Sequence, residues 1–240
     1  MIEAIPFYVS FVFVVTTVIT LLYFIKILNM AINQSKTKYK LVLGLACWLL
    51  IQGLFAFNGF YSANNDFVPP KIILFGILPA ILLIAFVFLN PLSRKFISSL
   101  SLKQLTYLSV IRIPVELVLF WLYLNGTVPK LMTFEGRNFD ILAGVSAPVI
   151  AYFAFRSHPF RYKVLIAWNL LSLILLLNIV VNALFSAPSP FQQLAFDQPN
   201  IALLYFPFSW LPTFIVPIIL FSHLASLYRL FRDKQLVIIE

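Results

Sequence analysis

Residues 104–125 read QLTYLSVIRIPVELVLFWLYLN, and this stretch decides the fold class. As a helix rising about 1.5 Å per residue, it is long enough to cross a hydrocarbon core of about 30 Å. Its interior nevertheless holds two charges, Arg112 and Glu116, four residues apart and so on one helical face. Ser109 lies three residues before Arg112 and Tyr123 seven after Glu116, which extends a polar stripe along a helix otherwise built of Leu, Ile, Val and Phe. An ionisable group at that depth costs a few kcal/mol or more and faces a partner or a cavity, not lipid. Pro114, between the two charges, removes a backbone donor and is expected to kink the helix near them.

The rest of the chain is of the same kind. It is 62% hydrophobic and 10% charged, with mean hydropathy +0.98, where a soluble domain has about 25% charged residues. Apolar runs between polar breaks predict seven transmembrane helices near 6–28, 39–61, 71–90, 104–125, 139–156, 162–186 and 201–228. The runs are continuous rather than alternating, so an all-α polytopic membrane protein is expected and a barrel is not. Connections are short, and residues 1–240 read as one domain. Residues 91–103, with Arg94 and Lys95 beside Phe96 and Ile97, read either as a short helix in the headgroup region or as an ordinary inner loop.

Basic residues orient the bundle. With the N-terminus outside, the inner side holds Lys26, Lys36, Lys38, Lys40, Arg94, Lys95, Lys103, Arg156, Arg161, Lys163, Arg229, Arg232 and Lys234. The outer side keeps Lys71, Lys130 and Arg137. This bias predicts N-out and C-in, in a cell membrane of the bacterial inner-membrane kind. Glu3, Asp66, Glu135, Asp140 and Asp197 fall outside or at the outer boundary. The net charge of +9 lies in short clusters between apolar runs, which suits lipid headgroups and topology rather than nucleic acid. Met1-Ile2-Glu3 lacks a basic start, so the first helix is expected to be retained.

Further polar residues share the outer half of the predicted bundle. They are Gln52 and Asn58 in span two, Asn178 and Asn182 in span six, Tyr205, Ser209 and Trp210 in span seven, and Asp140 opening span five from outside; Trp168, Asn169 and Ser172 lie deeper in span six. Interhelical amide bonds explain each one separately. Together with Arg112, Glu116, Ser109 and Tyr123 they form a candidate ligand site, with Arg112 as an anion or carboxylate anchor and Glu116 as its counter-ion or proton acceptor. In the loop 134–140, Asn138 or Asp140 suits the start of span five as a cap, and a lid is the alternative. Pro79, Pro148, Pro207, Pro212 and Pro217 interrupt spans three, five and seven, as in the broken helices of transporters.

Other chemistry is not expected. Cys47 is the sole cysteine, His158 and His223 have no ligand partners at suitable spacing, and no metal or other cofactor is predicted. The last span has no lysine for a retinal Schiff base, and hydrolase, zincin and P-loop patterns are missing. Asn125-Gly126-Thr127 is a short glycosylation match on the predicted outer side. The leading expectation is a small membrane protein that binds and translocates a small solute or ion around Arg112 and Glu116. The alternatives are an intramembrane enzyme acting on a lipid or isoprenoid, with Glu116 or Asp140 as acid/base, and a signalling or assembly subunit. Membrane lipids and a small-molecule ligand are the expected partners; the oligomeric state is not legible.

Overall fold

Long apolar runs bounded by Pro, Asn and basic clusters become helices, because in lipid a backbone must satisfy its own hydrogen bonds. The computed structural model describes residues 5–32, 34–63, 67–156 and 162–237, with side chains described as far as Arg232. Glu3, Asp66, His158 and Arg161 lie outside the described residues. The architecture is all-helical, with no strand among the described residues. In order the α-helices are α1 (Phe7–Ala31), α2 (Ser35–Phe57), α3 (Leu78–Leu89), α4 (Ser93–Ser99), α5 (Leu102–Leu108), α6 (Arg112–Leu124), α7 (Asp140–Arg156), α8 (Tyr162–Ser186) and α9 (Val216–Val237). A turn of 3-10 helix, Ser109–Ile111, joins α5 to α6, and π-helical turns at Ile73–Ile77 and Leu211–Ile215 open α3 and α9.

Five stretches are long and apolar enough to cross a membrane: Phe7–Ala31, Ser35–Phe57, Leu102–Leu124, Tyr162–Ser186 and Leu211–Arg232. Ile73–Leu89 with Ser93–Ser99 makes a sixth if the pair, bent by 96°, counts as one span. These lengths point to a membrane location. Two predicted spans have different limits. Residues 201–210 are not the start of a long helix but a 3-10 turn, Ala202–Leu204, and irregular chain, where Pro207 supplies no donor. Residues 58–61 are turns beyond the end of α2.

The helices pack unevenly. The pair α5–α6 lies against α1 and α7, and α8 packs between α7 and α9. α7 approaches closely because its buried face is small: Ala143, Gly144, Ala147, Ala151 and Ala154. By contrast, not one residue of α3 is buried. That helix stands off the bundle, touching α9 and α4.

A proline lies two residues beyond each π turn, and both turns are repaired by α2. In an α-helix the Phe75 carbonyl would accept from residue 79 and the Thr213 carbonyl from residue 217, but both donors are missing because these residues are Pro79 and Pro217. The Gln52 side-chain amide donates to the Phe75 carbonyl at 3.1 Å, and the Trp48 indole donates to the Thr213 carbonyl at 2.9 Å. Trp210 returns a bond from α9's side to the Leu49 carbonyl at 2.9 Å. Gly76 lets the two π turns touch, since a Cβ there would collide with the Thr213 side chain.

Candidate functional site

Arg112 is the largest fully buried side chain, at 2% exposure near the midpoint of Leu102–Leu124. Its guanidinium reaches three helices. Nη1 pairs with Asp140 Oδ1 of α7 at 2.9 Å and donates to the Ser172 carbonyl of α8 at 3.2 Å. Nη2 donates to His223 Nε2 of α9 at 2.8 Å. Gly144 makes this approach possible: a Cβ there would sit 2.9 Å from Ile113 Cγ1 and 3.4 Å from Arg112 Cβ. Asp140, one turn earlier on α7, is thereby held beside the guanidinium.

The hydrogen bonds assign the histidine's tautomer. A guanidinium can only donate, so His223 Nε2 accepts and Nδ1 carries the proton. Nδ1 then donates to Asn169 Oδ1 at 2.9 Å, while the Asn169 amide donates to the Leu165 carbonyl at 2.8 Å. His223 is thus neutral and oriented from both sides. Trp168 lies tilted against it, ring centroids 5.7 Å apart, and donates to Ser146 Oγ of α7 at 2.9 Å.

Glu116 lies one turn along α6 and is buried at 1% exposure. It is not the counter-ion of Arg112, contrary to the expectation from spacing; that partner is Asp140. Adjacent positions on one helical face leave both side chains free to point to different neighbours, and α7 brings a carboxylate closer. Glu116 Oε1 instead accepts from the Asn138 amide at 2.6 Å. The same amide donates to the Met132 carbonyl at 3.0 Å, and Asn138 Oδ1 accepts from the Asp140 N–H at 3.0 Å. Asn138 therefore caps the start of α7 and links it to Glu116.

Asp140 opens α7, as expected, but as a buried residue. As the first residue of α7 in contact with Arg112, it starts that helix inside the bundle, and the fully buried Asn138 shows that the preceding loop dips in with it. Three polar atoms of the α6 stripe are buried with no partner: Ser109 Oγ, Arg112 Nε and Glu116 Oε2.

The other expected site residues disperse. Gln52 and Trp210 serve the π-turn junction, and Tyr61 donates to Gln52 Oε1. Asn58 is exposed and bonds the Leu54 carbonyl at the end of α2. Tyr123 is half-buried against Phe120, and Tyr205 belongs to a small cluster with Ala56, Tyr61, Ile72 and Leu204. Asn178 donates to the Arg137 carbonyl at 2.7 Å and Asn182 to the Asn178 carbonyl at 3.0 Å, which ties α8 to the dipping loop. His223 was legible as an ionisable residue within a predicted span, but its distance along the chain from Arg112 and Asn169 hid its partners. In the Asn125 sequence match, Thr127 is buried and bonds the Leu122 carbonyl.

The fold and this buried polar centre define an all-helical protein with long apolar helices and an ion-paired interior. Residues 69–231 match the model of a family described as Domain of unknown function (DUF8737), and the chain belongs to that family. The whole Arg112 centre falls within the matched segment, whereas α1 and α2 precede it. No curated protein and no solved structure matches the chain.

Proposed function

We propose that the chain is a seven-pass protein of the cell membrane, N-terminus outside and C-terminus in the cytoplasm, that binds a small cation or a proton beside Glu116 and carries it across. For the topology, the five long stretches and the bent α3–α4 pair are joined by α7, whose 17 residues span about 26 Å. The distribution of Lys and Arg supports the orientation.

For the function, the carrying observation is the imbalance of the buried centre. Two carboxylates are buried with one guanidinium: Asp140 pairs with Arg112, Glu116 bonds the Asn138 amide, and His223 is used as a neutral acceptor. A lone uncompensated charge in a bundle interior costs several kcal/mol, so a centre of this composition takes up one positive charge. The open atoms Glu116 Oε2 and Ser109 Oγ can accept from or coordinate it. The N-terminus of α7, beginning within the bundle, resembles the half-helices around which transporters build their sites.

The test is flux in proteoliposomes holding a dye sensitive to protons, sodium or potassium, each under a gradient of the ion its dye reports. Glu116→Gln keeps an acceptor for Asn138 and removes the surplus charge. It should abolish flux while leaving the melting temperature near wild type. Wild-type flux in this variant would refute the site, and a lowered melting temperature with flux per folded chain unchanged would favour a purely structural clamp.

A further inference from the structure

We infer that the cleft between α2 and α3 is a binding site for one anionic phospholipid, its acyl chain along the cleft and its phosphate at Lys40. A cavity of about 360 Å³ lies there, walled by α1, α2, α3 and α9 and closed at one end by Phe96 of α4. This is within the range of specific small-molecule sites, about 300–1,000 Å³.

Its polarity is consistent across all the walls. On α2 the lining runs from Lys40 to Trp48, on α3 from Val87 back to Pro79, and on the last span from Phe221 back to Thr213. Each of these walls covers eight residues of rise, about 12 Å, slightly less than the half-thickness of a hydrocarbon core of about 30 Å. The deep end rests on the π-turn junction, where the Trp48 indole donates to the Thr213 carbonyl and the Thr213 hydroxyl to the Ser209 carbonyl. The shallow end carries the charge. Lys40 lines it, Lys36 is one turn away on α2, and Arg94 and Lys95 immediately precede Phe96 on α4; neither α2 nor α4 contains an acid.

The occupant follows from that arrangement. An apolar slot one leaflet deep with cations only at its mouth matches a lipid tail below an anionic headgroup. It does not match a polar solute. α3, which buries none of its own residues, leaves the slot open to the bilayer on its flank.

Native mass spectrometry of the full chain, released from nanodiscs of equimolar phosphatidylglycerol and phosphatidylcholine, tests this. Wild type should retain one phospholipid per chain and prefer phosphatidylglycerol, with Lys40 contributing about fivefold of that preference. Lys40→Gln should keep a lipid and lower the preference by that factor. Gly44 lines the cleft, and a Cβ there meets nothing within 4 Å, so Gly44→Leu can fill the slot and should release the lipid with helicity unchanged. Leu83→Trp, from the opposite wall, should do the same and covers the case in which Gly44→Leu fails to fold. Equal retention of the two lipids by wild type, an unchanged preference in Lys40→Gln, or full retention in either filled variant would overturn the site. So would a dimer that the filled variants dissociate, since a second copy would then occupy the cleft.

Discussion

The two flanks of this molecule are held by different forces. Around α6–α9, small residues on α7 bring backbones together, and a guanidinium ties three helices through charged and polar bonds. On the α2–α3 flank, packing is sparse, and the order comes from two side-chain bonds to backbone carbonyls at proline-broken turns and a third from Trp210 to the Leu49 carbonyl of α2. Both solutions answer the same constraint. Without water, every freed carbonyl or charge must find a protein partner. Where helices approach closely the partner is a side chain deep in the bundle; where they do not, α2 reaches across with an amide and an indole.

Substitutions can break this contrast. The largest loss should follow Asp140→Ala, which leaves Arg112 buried without its counter-charge and should cost about 3–5 kcal/mol, read as a fall in the detergent melting temperature. Next comes Gly144→Ala. Its Cβ would press on Ile113 and separate α7 from α6, costing about 1–3 kcal/mol in the same melt. Gln52→Leu orphans the Phe75 carbonyl and should cost a comparable 1–3 kcal/mol by the estimate for an unsatisfied buried acceptor, about the lower end if α3 relaxes. Its distinguishing mark is regional: amide exchange should quicken across Ile73–Leu89 and leave α7 and α8 unchanged. In the wild type, α3 should already exchange faster than α7; equal protection would remove the contrast altogether. The smallest effect belongs to Lys130→Ala. Lys130 and Glu135 pair at 3.8 Å on an exposed loop, and the loss should be under about 0.5 kcal/mol.

The contrast also separates what could be read early from what could not. Arg112 was legible as the centre because a charge within a long apolar run has few harmless explanations. Its partner was not, because periodicity relates residues of one helix and says nothing about the next. Glu116 was the nearest acid in sequence, yet Asp140 was nearer in space. His223 and Asn169 were separated from Arg112 by long stretches of chain, and only the packing of α8 and α9 against α6 brought them together. Pro79, Pro212 and Pro217 stand at irregular turns, as their chemistry predicts, whereas Pro148 lies inside an uninterrupted α7; the repair of the broken turns by Gln52 and Trp48 depends on where α2 stands.

By itself the chain of residues determined an all-helical fold of long apolar segments with a charged stripe on one of them, since burial cost and helical rise are local properties of composition and length. Tertiary structure alone decided which carboxylate meets the guanidinium, that α7 starts inside the bundle, and that a cleft opens beside α3. Those outcomes depend on distances between helices, which small residues such as Gly144 set and no single segment contains.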